Sequence, residues 1–232
     1  MNLQVIAYDG VFLSAPRPQS SVVLPSGGRT ELLVSCAEPG TYHLGTSPEN
    51  VDEFGERLPP GHPALVLQVS GDCGEYDSSL SAVVSLPGPP AYYSDLTRAT
   101  PTGFNSILLS NVPGDDVING WPYDGTVSYT MPLRSVQQWT IAGGEGVGFE
   151  KQHPYHQHTV HFQIMTSSVD TKGLMGMVGD YRDTVPMWRD LNYTIRFVPH
   201  FEGLMTIHCH VLKHEDLGMM TIVNVTTAAD HD

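Results

Sequence analysis

Seven of the eleven histidines fall in two short windows: His153, His156, His158 and His161 in one, His208, His210 and His214 in the other. Imidazoles gathered this closely suit metal ligation, whereas packing or surface histidines would be scattered. The second window runs His208-Cys209-His210 and continues through His214-Glu215 to Met219, so a thiolate is followed by an imidazole and then a thioether. Imidazole, thiolate and a weak axial thioether make the ligand set of a blue-copper site, for which His153 supplies a second imidazole. Zinc also takes Cys and His, in closed tetrahedral sites. One thiolate with a downstream Met and surplus imidazoles favours copper.

Side chains alternate faces along a strand, so His208 and His210 project to one side and Cys209 to the other. The same alternation puts His156 and His158 on a common face. One strand then serves two metal sites. Four imidazoles from two strands converge opposite the thiolate, and electrons cross from Cys209 through either neighbouring His. His161 falls out of this alternation and is expected at the surface rather than as a ligand. A lone His-x-His pair is ordinarily surface decoration; two pairs joined to the Cys/His/Met spacing point to metal.

The elements available to hold these residues are strands. Apolar, β-branched runs recur at 4–7, 21–24, 31–35, 64–69, 106–109, 137–141, 160–165, 193–198, 204–208 and 220–225. Twenty-three Gly and 18 Pro, clustered as in Pro59-Pro60-Gly61, punctuate them and leave no convincing helix of several turns. The pattern predicts an all-β sandwich or barrel. A Ser- and Pro-rich stretch, residues 78–95, reads as a linker between a block at 1–77 and a longer one at 96–232. The first block is small for an independent sandwich, so it is expected to be a partial domain with unpaired edges.

Eleven Lys plus Arg against 25 Asp plus Glu give a formal charge of −14, which argues against nucleic acid as a partner. No apolar run is long enough to span a membrane, and Met1 to Gly10 lacks the pattern of a secretory leader. Three cysteines predict one pair, Cys36 with Cys73, plus the metal thiolate Cys209.

His153-Pro154-Tyr155-His156-Gln157-His158 and the run from His208 to Met219 resemble the two copper motifs of the last cupredoxin domain of the multicopper oxidases, the family of laccases, ascorbate oxidase and cuprous oxidases. Asn119-Gly120 and Asp183-Thr184-Val185 fit family positions as well. More weakly, residues 5–10 and 24–29 resemble the later half of the family's middle domain, where they would serve as scaffold. Thr159 and Gln157 depart from the commoner Gly and aliphatic residues of the motif.

The resemblance implies a Greek-key cupredoxin sandwich preceded by a partial second one. It assigns His153, Cys209, His214 and axial Met219 to a type 1 copper. His156 goes to a type 2 copper, and His158, His208 and His210 to a type 3 pair. Glu215 matches an acidic position that helps deliver protons to the oxygen cluster. The implied function is one-electron oxidation of a small-molecule or metal-ion donor, coupled to reduction of dioxygen to water. The family and two Asn-x-Thr sequons, at Asn192 and Asn224, suggest a secreted or extracytoplasmic setting.

The family's oxygen cluster draws half its imidazoles from two further His-x-His motifs in an N-terminal domain, and this sequence holds no such set. The chain is therefore expected to be a C-terminal portion that needs an N-terminal domain or partner chain. A rival reading is a mononuclear blue-copper electron carrier without oxidase activity. That carrier would need neither His156, His158 nor His208. Scattered Met residues, among them Met165, Met175, Met177, Met187, Met205 and Met220, are expected to fill core gaps rather than line a cuprous-ion channel.

Overall fold

The computed structural model describes residues 1–45, 63–71, 85–144, 152–167, 175–188 and 191–227. β1 (Asn2–Tyr8) and β2 (Val11–Gln19) form a hairpin whose two turn residues, Asp9 and Gly10, both take positive φ (49° and 81°). Asp-Gly suits this turn, whose twist matches that of the strands it joins. β3 (Thr30–Ser35) adds to β1, giving the order β2-β1-β3 over a small core of Val5, Tyr8 and Leu13. β4 (Gly40–Gly45) and β5 (Pro63–Val69) pair as a separate ladder, with Leu65 and Val66 about half exposed.

Two larger sheets follow. β6 (Gly103–Val112), β7 (Asp115–Ile118), β9 (Gln137–Gly143), β11 (Phe162–Ser167), β12 (Tyr181–Arg182) and β14 (Asn192–Phe197) make a six-stranded sheet in the order β12-β11-β14-β9-β6-β7. β8 (Val127–Pro132), β10 (Tyr155–Gln157), β13 (Thr184–Val185), β15 (Gly203–Cys209) and β16 (Met220–Thr226) make a five-stranded one, β13-β10-β15-β16-β8. Their inner faces share one core. Trp139, Ile141, Ile195 and Phe197 come from the first sheet, Tyr155, Ile207, Cys209 and Val223 from the second. β14 and β16 alternate buried and partly exposed residues, as half-buried strands do. The architecture is an all-β, cupredoxin-like sandwich. The single helix among the described residues, α1 (Leu212–Asp216), spans five residues, and no described helix is long and apolar enough to cross a membrane.

Several expectations need correction. Residues 21–24 form no strand; the chain there leaves β2 and turns at 25–28. β2 carries Pro16 and Pro18, tolerated because β2 is an edge strand with no ladder to serve on one side. Cys36 is a free cysteine, against the expected pairing, and its intended partner Cys73 lies outside the described residues. The buried methionines Met175, Met187 and Met205 sit in the main core, as expected of gap-fillers.

Thr159, which departs from the family's commoner Gly, takes φ +64°. A β-branched residue in the left-handed region is strained by its own Cβ. Thr159→Gly is therefore expected to stabilise the chain by about 1 kcal/mol, read as a higher midpoint in chemical unfolding. A lower midpoint would show that the Thr side chain offsets its strain.

Candidate metal centres

The site is built on the pairing of β10 with β15. The antiparallel register sets Tyr155 opposite Cys209 and His156 opposite His208. Cys209 points inward with Ile207 and Met205. His208, on the other face, should be exposed by alternation yet is only 6% accessible. What covers it is a set of imidazoles.

On the inner side, donor atoms of His153, Cys209 and His214 lie within 4.8 Å of one another, and all three residues are buried. The Nδ1 atoms of His153 and His214 are 3.3 Å apart, and the Cys209 Sγ is 3.6 Å from His214 Nδ1. Backbone bonds set this geometry. The His153 N–H donates to Met187 O (2.7 Å), Cys209 N–H to Met219 O (3.0 Å), and Met219 N–H to His214 O (2.9 Å). The segment from 209 to 219, with α1 inside it, is thus folded back so that buried Met219 stands beside both Cys209 and His214. The Val211 N–H donates to Cys209 Sγ at 3.4 Å. Two imidazoles and a thiol whose donor atoms converge in an apolar core, with buried Met219 held beside them by backbone bonds, fit a soft N/S-binding metal such as copper.

Burial pushes the Cys209 thiol up to about 12. A metal must therefore displace a proton to bind. Without metal, this raised pKa contributes stability that is complete below the ordinary thiol range and is lost as pH rises through it toward 12. At pH 8 the metal-free thiol is expected to resist alkylation by iodoacetamide while the partly exposed Cys36 reacts. Equal labelling of the two would contradict the burial.

On the outer side, the rings of His156, His158, His208 and His210 meet with neighbouring centroids 4.9–5.3 Å apart. Donor atoms of His156, His158 and His208 fall within 4.8 Å of one another; His210 packs on His156 and His208 without joining that trio. His208 Nδ1 lies 2.8 Å from Cys209 O, and a carbonyl only accepts, so Nδ1 carries the hydrogen and Nε2 is left bare. That bare Nε2 faces His158 Nε2 at 3.0 Å. Burial and neighbouring imidazoles lower the pKa values of both His158 and His208, favouring neutral rings. Neutral ring nitrogens aimed at one another are the donor set a cation requires. Glu215 Oε2 is 3.3 Å from His208 Nδ1.

The sequence-predicted residues are thus brought together as two groups. Three partners carried no assigned role in the sequence. Asp183 accepts from both ends of the Arg29 guanidinium (2.9 and 2.5 Å). Burial opposes its charge, but hydrogen bonds from His156, Arg29 and Thr184 hold its carboxyl well below the usual range. Asp9 bonds Arg29 and Arg182. His161 is partly exposed and joins neither ligand group, as expected; its Nε2–H donates to Asp9 O (2.8 Å) and its Nδ1 accepts from the Tyr93 hydroxyl (2.7 Å). Asp183 is the one sequence could flag, through its family position beside Thr184.

Comparison with known proteins gives a consistent picture. The sequence profile described as "Multicopper oxidase" matches residues 91–229. The "Multicopper oxidase mco" of Staphylococcus haemolyticus (strain JCSC1435) is 28% identical over 171 residues, covering 72% of this chain and 38% of that protein. The bilirubin oxidase of Albifimbria verrucaria is 31% identical over 106 residues, 44% of this chain and 18% of that one. The McoA multicopper oxidase of Aquifex aeolicus superposes with a TM-score of 0.77 at 21% identity, covering 98% of this chain and 50% of its own, a likeness of fold. The chain spans half or less of the length of each of these proteins.

Proposed function

The chain belongs to the multicopper oxidase family, and from that premise we propose that it is the copper-holding C-terminal part of an oxidase. Electrons enter at the buried Cys/His/Met group and leave at the imidazole group. In this reading His153, Cys209, His214 and Met219 hold type 1 copper. His156 serves the type 2 copper, and His158, His208 and His210 serve the type 3 pair. Copper, when bound, supplies one-electron redox chemistry between a small-molecule or metal-ion donor and dioxygen, which ends as water.

The observation that carries the reading is β15 itself, on which Cys209 belongs to one group and His208 to the other. A few covalent bonds, with no gap through solvent, therefore join them. The sandwich core excludes water from Cys209, and backbone acceptors hold the rings of His156 and His208 with Nε2 presented inward. Glu215 places a carboxylate 3.3 Å from His208 Nδ1, at the position the resemblance gives a proton-delivery role. Complementary His-x-His ligands come from an N-terminal domain or partner chain. A mononuclear electron carrier is not favoured, because it leaves the imidazole group without a purpose.

Oxygen uptake by the copper-loaded chain, assembled with the N-terminal domain or partner chain that completes its imidazole ligands and supplied with a one-electron donor, tests the reading. Loss of an outer partner of a metal ligand already costs about 10- to 100-fold, so His210→Ala is expected to lower uptake by at least the upper part of that range and leave the blue band intact. Equal uptake in wild type and His210→Ala would overturn the oxidase assignment.

A further inference from the structure

We propose that the turn at residues 25–29, in a segment expected only to be scaffold, is a positioning clamp for the imidazole group. It sets the His210 ring by direct packing and the His156 ring through Arg29 and Asp183. The functional meaning of the clamp rests on the reading above, that these imidazoles hold copper.

One arm is steric. Gly27 sits at φ +76°, and a Cβ built there would lie 2.1 Å from His210 Cδ2 and 2.5 Å from its Nε2. Only hydrogen fits between this backbone and the ring, so the ring's position is dictated by a residue far away in sequence. The other arm is polar. The Arg29 guanidinium donates to Gly27 O (2.7 Å) and to both carboxylate oxygens of Asp183 (2.9 and 2.5 Å), so one planar group joins the two arms.

From Asp183 the constraint reaches His156. The Thr184 hydroxyl donates to Asp183 Oδ1 (2.7 Å), which leaves its lone pairs to accept from His156 Nδ1 (2.9 Å); Asp183 O accepts from the same nitrogen (3.1 Å). With acceptors on that side, His156 is held as the Nδ1–H tautomer with Nε2 bare toward the other imidazoles. Asp9 steadies the assembly, accepting from the backbone N–H groups of Arg29 (2.9 Å), Asp183 (3.2 Å) and Thr184 (3.3 Å). The two clamped rings are neighbours, 5.1 Å apart. Outer partners that fix ring orientation and tautomer in this way tune metal affinity.

Two readouts test the clamp, one without copper. In the metal-free chain at pH 8, nitrogen NMR is expected to report His156 as the Nδ1–H tautomer. Arg29→Gln should turn it into a mixture, and Gly27→Ala should shift the His210 ring signals. Gly88→Ala is the control, since Gly88 has φ +74° but nothing within 4 Å of its Cβ position. In the copper-loaded chain, Gly27→Ala and Arg29→Gln should weaken copper binding at the imidazoles by about 10- to 100-fold, followed by the non-blue paramagnetic signal, while the blue band persists. Unchanged ring signals and unchanged copper affinity would overturn the clamp. So would loss of the blue band in parallel with the imidazole copper, because that marks a general folding role. A wild type with the expected tautomer but no copper at the imidazoles would refute the functional reading and leave the clamp standing.

Discussion

Replacing Cys209 by serine is expected to abolish the blue absorption of the copper-loaded chain and remove its copper, while the imidazole group keeps its own. Intense blue colour needs a thiolate on copper, and a serine hydroxyl is neither soft nor readily deprotonated. Cys209 is fully buried, and its Sγ meets His214 Nδ1 and the Val211 N–H. The smaller serine fits this space and can accept from Val211, so the sandwich should survive. His208 is held from its Nδ1 by the backbone carbonyl of residue 209, which serine retains. Visible absorption and copper content of Cys209→Ser beside wild type decide the matter. A variant that stays blue would remove Cys209 from the site, and loss of all copper would show that the two groups are not separable.

The second large effect is on stability. Asp9→Ala should destabilise the fold by about 3–5 kcal/mol, the usual cost of leaving one partner of a buried pair uncompensated. Asp9 and Arg182 side chains are both wholly inaccessible and meet at 2.7 Å. Arg182 has one other fixed partner in Met175 O (2.5 Å), lies over the Tyr8 ring at 4.5 Å, and leaves its Nη2 without a hydrogen-bond acceptor. Without Asp9 that guanidinium would be a buried cation with a single carbonyl, and the N–H groups of Asp183 and Thr184 would lose their acceptor. Urea unfolding of the metal-free chain measures this. A loss below about 1 kcal/mol, the range of an exposed pair, would show that water reaches Arg182.

Much of the site could be read in the sequence because its donors are local. His208, Cys209, His214 and Met219 lie within one turn-back of chain, and strand alternation alone separates Cys209 from its neighbours. β14 and β16 were legible because each buries one face, and β15 from its apolar run, although imidazoles also cover its other face at His208. The partners of the imidazoles were not legible. Arg29 and Asp183 are 154 positions apart, and Asp9 and Arg182 are 173 apart, so only the folded chain brings them together. For His161, alternation gave the face but not its partners, Asp9 and Tyr93, which only the folded chain supplies. β10, which the alternation of His156 and His158 marks as a strand, is only three residues long and ends before His158; β13 and β15 on its two sides hold it.

The most direct test of the central claim, two copper sites sharing one strand, is copper content with visible and paramagnetic spectra on the copper-loaded chain. The account predicts one blue copper per chain from the Cys209 group, accompanied by a separate non-blue signal from the imidazoles. A folded chain with Cys209 intact that takes up copper without any blue band would contradict it.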